Sequence, residues 1–346
     1  MNLNFIEAKI DDFYIHRVGN KLADEGLSLS KRAIVINSDL KNLFVHYFVS
    51  PFKSNECFNF FHNIDLSMNE VFVCANNIFA NKDNLYKQSI NLAKHLYEQS
   101  THPKIKNGEF YVVYFEHCIL DGEIVDAIGL FKSENKDTFI KIFPAGSEFE
   151  VESEQGININ KLDKGCLIFN AEREKGYAVA VVDNTNKGSE AQYWMDDFLH
   201  ICQRKDEYYK TQNILSLCKN FIKNELPQHF EVSKVDQVDL LNRSVKFLKE
   251  NEKFNIAEFT NEVIGQPEII ENFNQYKTTF QEDYDVEIAD NFAISESAIK
   301  KQARSLRSII KLDKNFHIYI HGGRELIEQG EDKKGKFYKV YYKEES

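Results

Sequence analysis

The feature that most constrains the fold is residues 164–211, where signals for strand, turn, strand, turn and helix follow one another closely. Residues 166–170 form a short apolar run, residues 172–176 are polar and end in glycine, and residues 177–182 are rich in valine and alanine. Two apolar runs separated by a polar turn of this length predict an antiparallel hairpin. The side chains of this hairpin are those of a protein core.

A helix is predicted directly after the hairpin, over residues 190–200, and Ser189 precedes it. A turn rich in asparagine and glycine, at residues 183–189, separates the two elements. Five apolar side chains then fall on one helical face, and they include the only tryptophan of the chain: Ala191, Trp194, Met195, Phe198 and Leu199. A helix with such a face is expected to pack back onto the hairpin.

The order of motifs in this stretch resembles that of a known bacterial family. KGCLIFN is followed by a YAVAVVD strand, by AQYWMDDFL and by a later threonine, and this order is similar to that of the 37-kDa nucleoid-associated proteins. The similarity extends over most of the chain, through NLAKHLYEQSTHPKIKNGEFYVVYF in the N-terminal half and FNIAEFTNEVIG, SAIKKQARSL, NFHIYIHG and KFYKVYY further on. The resemblance implies association with DNA in the bacterial nucleoid, and it implies no catalytic residue.

Length and composition are those of a soluble globular protein with room for two domains, since the chain has 346 residues. Every apolar run is far shorter than the roughly 20 residues that a membrane helix needs. The first residues also lack a basic region followed by an apolar one, which a secretory signal would have. The sequence therefore predicts a cytoplasmic protein without a membrane partner.

The cysteines predict buried free thiols rather than disulfides or a zinc site. They have no CxxC spacing, and most of them lie inside apolar runs. No metal and no cofactor is predicted. The six residues are Cys57, Cys74, Cys118, Cys166, Cys202 and Cys218.

The first domain is predicted to span residues 1–226 and to have an α+β fold, an antiparallel sheet with helices packed against it. One packing helix is expected to begin with Ser38 or Asp39 as its cap and to stop before a Ser-Pro pair, and a second is expected over residues 83–100. Strands predicted from β-rich runs form an antiparallel meander that the hairpin extends, at residues 110–120, 123–132 and 138–143.

The second domain is predicted to span residues 232–346, because Pro227-Gln228-His229 interrupts the helical pattern. It is expected to be mostly helical and to end in a small antiparallel sheet. Its helices are predicted at residues 235–250, 256–264, 268–281 and 297–310, and its strands at residues 316–320, 325–328 and 336–342.

Charge is unevenly distributed along the chain, whose formal net charge is −11. Residues 297–343 contain twelve Lys or Arg and five Asp or Glu, so this segment carries +7 and the remainder carries −18. A polyanion of this kind repels DNA as a whole, and only the C-terminal segment can attract it.

A basic stripe is predicted beside the apolar stripe of the helix over residues 297–310. We predict that this stripe and the terminal strands contact DNA phosphates without sequence preference. The alternative interpretation is a solvated basic face without a ligand. The candidate DNA-binding residues are Lys300, Lys301, Arg304, Arg307, Lys311, Lys336 and Lys339.

Other constellations indicate no enzyme. Asp196 and Asp197 point about 100° apart on a helix, His200 lies one turn on, and no second acidic motif follows. His317 and His321 alternate on one strand, which is more typical of a solvated or phosphate-facing surface than of a metal pair. The competing function classes are a protein-interaction module of chromosome maintenance and, third, a nucleic-acid-processing enzyme. A homo-oligomer is compatible with the sequence.

Overall fold

The computed structural model describes residues 1–53, 55–185, 193–303, 309–312, 314–320 and 324–344. Contacts divide the chain into two units, Met1–Arg204 and Lys205–Ser346. The division lies earlier than the predicted boundary near Pro227, because the helical residues before Pro227 contribute to the core of the second unit. Helices and antiparallel sheets occur together, so the predicted α+β class is confirmed.

The first unit is built on an antiparallel sheet in the order β11-β4-β10-β9-β6-β5-β2-β3, with β1 beside β5. The predicted hairpin is confirmed, since β9 and β10 pair antiparallel from Lys164–Asp183 to Phe169–Ala178. The strands are β1 Leu3–Asn4, β2 Lys9–Val18, β3 Leu27–Ser28, β4 Phe58–Phe60, β5 Gly108–Leu120, β6 Glu123–Ser133, β7 Asp137–Ala145, β8 Glu148–Gly156, β9 Lys164–Phe169, β10 Ala178–Asp183 and β11 Ile201–Gln203.

The central strands of this sheet bury both of their faces. Successive residues of β5 point to opposite sides, so Val112 packs with helices α2 and α3 while Val113 packs with helix α1. Apolar residues are therefore needed at every position, and β5 contains an unbroken apolar run. The helices are α1 Ser38–Val49, α2 Glu70–Ala80 and α3 Leu85–Gln99.

Both predicted packing helices of this unit are present, and the structure adds α2, which the sequence analysis missed. The cap of α1 was predicted one or two residues too late. Asn37 is the N-cap, because its side-chain oxygen accepts a hydrogen bond from the backbone N–H of Leu40 at 2.9 Å.

The predicted meander is wrong in its third strand, because β7 pairs with β8 in a separate two-stranded ribbon. β9 lies beside β6 instead. The physical reason is that all six residues of β9 are buried, whereas most of β7 and all but the last residue of β8 are exposed. A strand in the centre of a sheet that is covered on both faces must be mostly apolar on both sides, as β9 is.

Among the described residues, the predicted helix after the hairpin is a π-helical turn, Trp194–Leu199. Its first three predicted residues lie outside the described part of the chain. Trp194 and Phe198 are nevertheless buried against the sheet, as predicted. His200, at φ 50°, ends the turn and leads directly into β11.

The second unit contains the predicted helices over residues 235–250, 256–264 and 268–281, the second of them as a short α-helix continued by a π-helical turn. Its elements are α4 Glu207–Asn220, α5 Leu226–His229, α6 Lys234–Glu250, β12 Lys253–Asn255, α7 Ile256–Phe259, α8 Pro267–Tyr284, β13 Asn291–Ala293, α9 Glu296–Ala303, β14 Ile309–Leu312, β15 Phe316–Tyr319, β16 Ile327–Asp332 and β17 Gly335–Val340.

The helix predicted over residues 297–310 is wrong in its last part. The described helix α9 reaches Ala303, and Ile309–Leu312 is a strand that pairs with Phe316–Tyr319. Isoleucines favour an extended conformation when a partner strand is available. Lys311 is therefore a strand residue and does not belong to a helical stripe.

Five of the six cysteines are buried, as predicted, and Cys202 is exposed; none of them forms a disulfide in the described structure. In the described part of the chain, no helix combines the length and the hydropathy required to cross a membrane.

Ile128 and Ile64 provide a matched test of the two-sided core. Ile128 in β6 is fully buried, whereas Ile64 is 79 % exposed. We expect Ile128→Ala to lower the free energy of unfolding by about 2–5 kcal/mol, since it leaves a cavity. Ile64→Ala should change it by less than about 0.5 kcal/mol. Urea unfolding checks both, and equal effects would contradict the assigned core.

Candidate nucleic-acid interface

The outer face of the β14–β15 hairpin carries the clearest group of outward polar side chains in the basic segment. Ile310 pairs with Ile318, and both face the apolar cluster that includes Val235 and Val238 of α6. Neighbouring residues on a strand point the opposite way. Lys311 and its cross-strand partner His317 therefore lie on the outer face, where both are exposed.

Tyr319 completes this outer face, because it lies two residues after His317 on the same strand. Its side chain is 56 % exposed. The three residues together offer an ammonium, an imidazole and a hydroxyl, all of which can donate hydrogen bonds to phosphate oxygens. His317 is predicted from the sequence as part of a solvated or phosphate-facing surface, whereas its pairing with Lys311 follows from the strand register.

Helix α9 places Lys300 and Lys301 next to each other on its exposed side, about 100° apart. Ala298 and Ile299 bury the other side. Lys300 Nζ lies 3.1 Å from Glu296 Oε2, but both side chains are largely in water, so this pair contributes little. Lys301 Nζ lies 5.8 Å from the centre of the Tyr208 ring.

The β16–β17 hairpin does not bring its two predicted lysines together. Lys336 and Lys339 are an odd number of residues apart, so their side chains point to opposite faces of the hairpin. Each has an acidic cross-strand partner, Glu331 for Lys336 and Glu328 for Lys339. Lys339 Nζ lies 3.5 Å from Glu328 Oε2, and a hydrogen bond with Tyr341 raises the pKa of its ammonium.

Arg324 contributes to the charge of the segment but has a structural role. Its Nε lies 2.6 Å from Asp236 Oδ1, and its Nη1 donates to the Ile327 carbonyl at 2.9 Å. Asp236 also occupies position N3 of the capping box that Ser233 begins at α6. Arg324 therefore attaches the last hairpin to the N-terminus of α6.

The remaining candidates, Arg304 and Arg307, lie outside the described residues, as does His321. Of the predicted residues, the structure thus describes five on three separate elements. It places Lys311 beside His317 and Tyr319, and it places Lys300 beside Lys301. Their participation in DNA binding stays a prediction.

Asp196, Asp197 and His200 do not form an acid–base arrangement. The His200 ring stacks on Phe61 with 5.0 Å between ring centres, and His200 Nδ1 lies 3.1 Å from the Asp196 carbonyl oxygen. Burial, together with the neighbouring Asp197, raises the pKa of Asp196. Across the described ranges, no group of three or more His, Cys, Asp or Glu could hold a metal ion.

Two buried lysines in the first unit were missed by the sequence analysis. Lys132 and Lys164 are directly opposite each other on β6 and β9, and neither has any exposed surface. Lys132 Nζ lies 2.9 Å from Glu134, and Lys164 Nζ lies 2.9 and 2.8 Å from the two oxygens of Asp183. Burial lowers the pKa of Lys132, as expected for an ammonium removed from water.

Tyr193 lies between these two ion pairs. Its hydroxyl donates to Glu134 Oε1 at 2.8 Å, and Lys132 Nζ lies 3.2 Å from the same hydroxyl. Lys132 also donates to the Lys106 carbonyl, and Lys164 donates to the Thr185 hydroxyl. Each ammonium thus has three acceptors, which is its full capacity. The network serves the fold and leaves no donor of either ammonium for a ligand.

Lys164 and Lys161 test the buried ion pairs. Lys164→Ala leaves the carboxylate of Asp183 largely buried without its cation, so we expect a loss of about 3–5 kcal/mol in the free energy of unfolding. Lys161→Ala removes a lysine that pairs with Asp137 in water, and it should change stability little. Chemical unfolding distinguishes the two, and a small effect at Lys164 would show that this ion pair does not stabilise the fold.

Asp236 should make part of the stability depend on pH. Partial burial raises its pKa, but hydrogen bonds from Ser233 and Arg324 outweigh this and lower the pKa overall. Its contribution is therefore present above the unfolded pKa of about 3.9 and is lost as the pH falls through the folded value.

Asp236→Asn should cost about 1 kcal/mol at neutral pH, because the ion pair is partly exposed. The difference between the two proteins should shrink as the pH is lowered towards 3. Unfolding curves across this range check the sign, and a difference that grows with acid would contradict the assignment.

The family comparison covers both units of the chain. A family described as "Nucleoid-associated protein YejK" matches residues 15–337, a range that contains every candidate DNA-binding residue except Lys339. No curated protein is similar enough to count as a match. The matched range is nearly the whole sequence, so the resemblance seen in its motifs is confirmed. The chain belongs to the family of the nucleoid-associated protein YejK.

Proposed function

We propose that this nucleoid-associated protein binds the phosphate backbone of double-stranded DNA through its C-terminal basic segment. The observation that carries the proposal is the register of β14 and β15, which directs Lys311, His317 and Tyr319 outward while the isoleucines pack on α6. Lys300 and Lys301 on α9 add two exposed cations. Family membership supports the same function.

The distribution of charge restricts how DNA can approach. Residues 205–346 carry a formal charge of −3, although residues 297–343 carry +7. The attraction is therefore local, and it acts within a Debye length of about 8–10 Å at physiological salt. We expect DNA to contact this segment rather than the rest of the chain, because the rest carries a net negative charge.

The chemistry of the outward side chains favours backbone contact over base readout. Lysine is a flexible point charge, and the histidine N–H and tyrosine O–H are single donors. A histidine or a tyrosine does not form the two-pronged contact that arginine, asparagine or glutamine makes with a base edge, and a lysine is less directional than an arginine. Binding is thus expected to be largely independent of sequence.

A role in protein interaction has its own support in the first unit, where the β7–β8 ribbon exposes a row of apolar side chains. Such a patch is typical of a protein contact. This role does not compete with DNA binding, because it belongs to another surface. No catalytic role is proposed.

Salt-dependent DNA binding tests the proposal. About four phosphate contacts give a slope of log K against log salt of roughly −3 to −4, and the loss of one contact flattens the slope by about 0.9. We expect Lys311→Ala to show this change on duplexes of different sequence alike. Fluorescence anisotropy with labelled duplexes at several salt concentrations measures it.

Lys246→Ala is the matched control. Lys246 is exposed near the far end of α6, at least eight residues or about 12 Å along the helix from Val238. It should leave both affinity and slope unchanged. Arg304→Ala and Arg307→Ala extend the test to the predicted arginines. If the folded variants at Lys300, Arg304, Arg307 and Lys311 all bind as tightly as the original protein, the proposed surface is wrong.

A further inference from the structure

The β7–β8 ribbon is an insertion between two central strands of the first unit. Its nine residue pairs run from Asp137–Gly156 to Ala145–Glu148. Among the described strands, each of the two has only the other as its partner. An isolated two-stranded ribbon is marginally stable in water, so the ribbon needs a surface that covers it.

The strand register divides the ribbon into two chemically different faces. One face carries no charge and is mostly apolar, and its four largest apolar side chains are between 65 and 72 % exposed. The other face carries Glu148, Glu150, Glu152 and Glu154 with Asp137, Lys141 and the aromatic residues Phe139 and Phe143 among them, and it is called the glutamate face below. The uncharged face, called the apolar face below, has a centre of Ile140, Ile142, Pro144, Phe149 and Val151, with Thr138, Ser153 and Gln155 towards one end.

We propose that the apolar face binds the same face of a second copy of this chain, so that two ribbons form a small four-stranded sandwich. A two-fold axis brings apolar side chains onto apolar side chains. The same symmetry directs the glutamates of both copies outward, where they stay in water and apart.

The charge of the ribbon argues against DNA and anionic membranes as its partners. Residues 137–156 carry a formal charge of −4, which opposes contact with DNA or an anionic membrane. A basic protein would be attracted to the glutamate face, and its binding there would leave the apolar face exposed. A second ribbon covers the apolar face without requiring any unpaired charge to be buried.

The area of the contact is sufficient for a reversible dimer. Five side chains from each copy remove on the order of 1,000 Å² from water, which is near the lower limit for a specific interface. The dimer should therefore dissociate in the micromolar range, and its population should depend on protein concentration.

Sedimentation of the full chain between about 1 and 100 µM tests the proposal. The original protein should show a reversible monomer–dimer equilibrium. The triple variant Ile140→Thr, Ile142→Thr, Val151→Thr keeps β-branched residues but makes the face polar. It should raise the dissociation constant by at least about 100-fold. Phe139→Thr, on the glutamate face of the same strand, should dimerise like the original protein.

Three results would overturn the proposal: a monomer at 100 µM, an unchanged dissociation constant in the triple variant, or an equal loss with Phe139→Thr. Hydrogen exchange in the unmodified protein gives an answer that does not depend on the folding of a variant. Ribbon amides should exchange more slowly above the dissociation constant than below it, and exchange that does not depend on concentration would also overturn it. DNA is absent from all these measurements, so they are independent of the proposed function.

Discussion

Burial of both faces of the central strands is the constraint on which the rest of the first unit depends. β5, β6 and β9 place alternate residues into two apolar clusters, one with α2 and α3 and the other with α1. This arrangement requires apolar side chains at successive positions. It also explains why Lys132 and Lys164, which lie in these strands, are held by carboxylates, hydroxyls and a carbonyl group.

In the second unit, the apolar and the charged side chains of the β14–β15 hairpin lie on opposite faces. The apolar residues of β14 and β15 pack against α6, and the alternation of the strands directs the polar residues outward. Arg324 joins the last hairpin to the cap of α6 through Asp236. The segment is thus held to α6 at two places, by the isoleucines of β14 and β15 and by the Arg324–Asp236 ion pair.

The sequence predicts correctly the elements that have a long amphipathic pattern or a clear turn signal. Examples are helix α3 and the β9–β10 hairpin. The predictions are wrong where the structure depends on strand partners that are far apart in the sequence. The pattern of residues 138–143 predicts a third meander strand, but the fully buried β9 lies beside β6 instead. Ile310 fits a helical stripe as well as a strand, and pairing with Ile318 selects the strand. Lys311 is thus predicted from its charge and His317 from its alternation with His321, whereas placing the two side by side depends on the register.

Association of two copies would raise the affinity of this nucleoid-associated protein for DNA. A surface with about four phosphate contacts binds DNA weakly at physiological salt, and its affinity falls steeply as salt rises. If two copies associate through their ribbons, the second surface binds a nearby stretch of DNA at an effective concentration that the dimer sets. Two weak DNA-binding surfaces can then give a high overall affinity without any base-specific contact. A mostly acidic chain gains from this arrangement, because it needs positive charge only on a limited part of its surface.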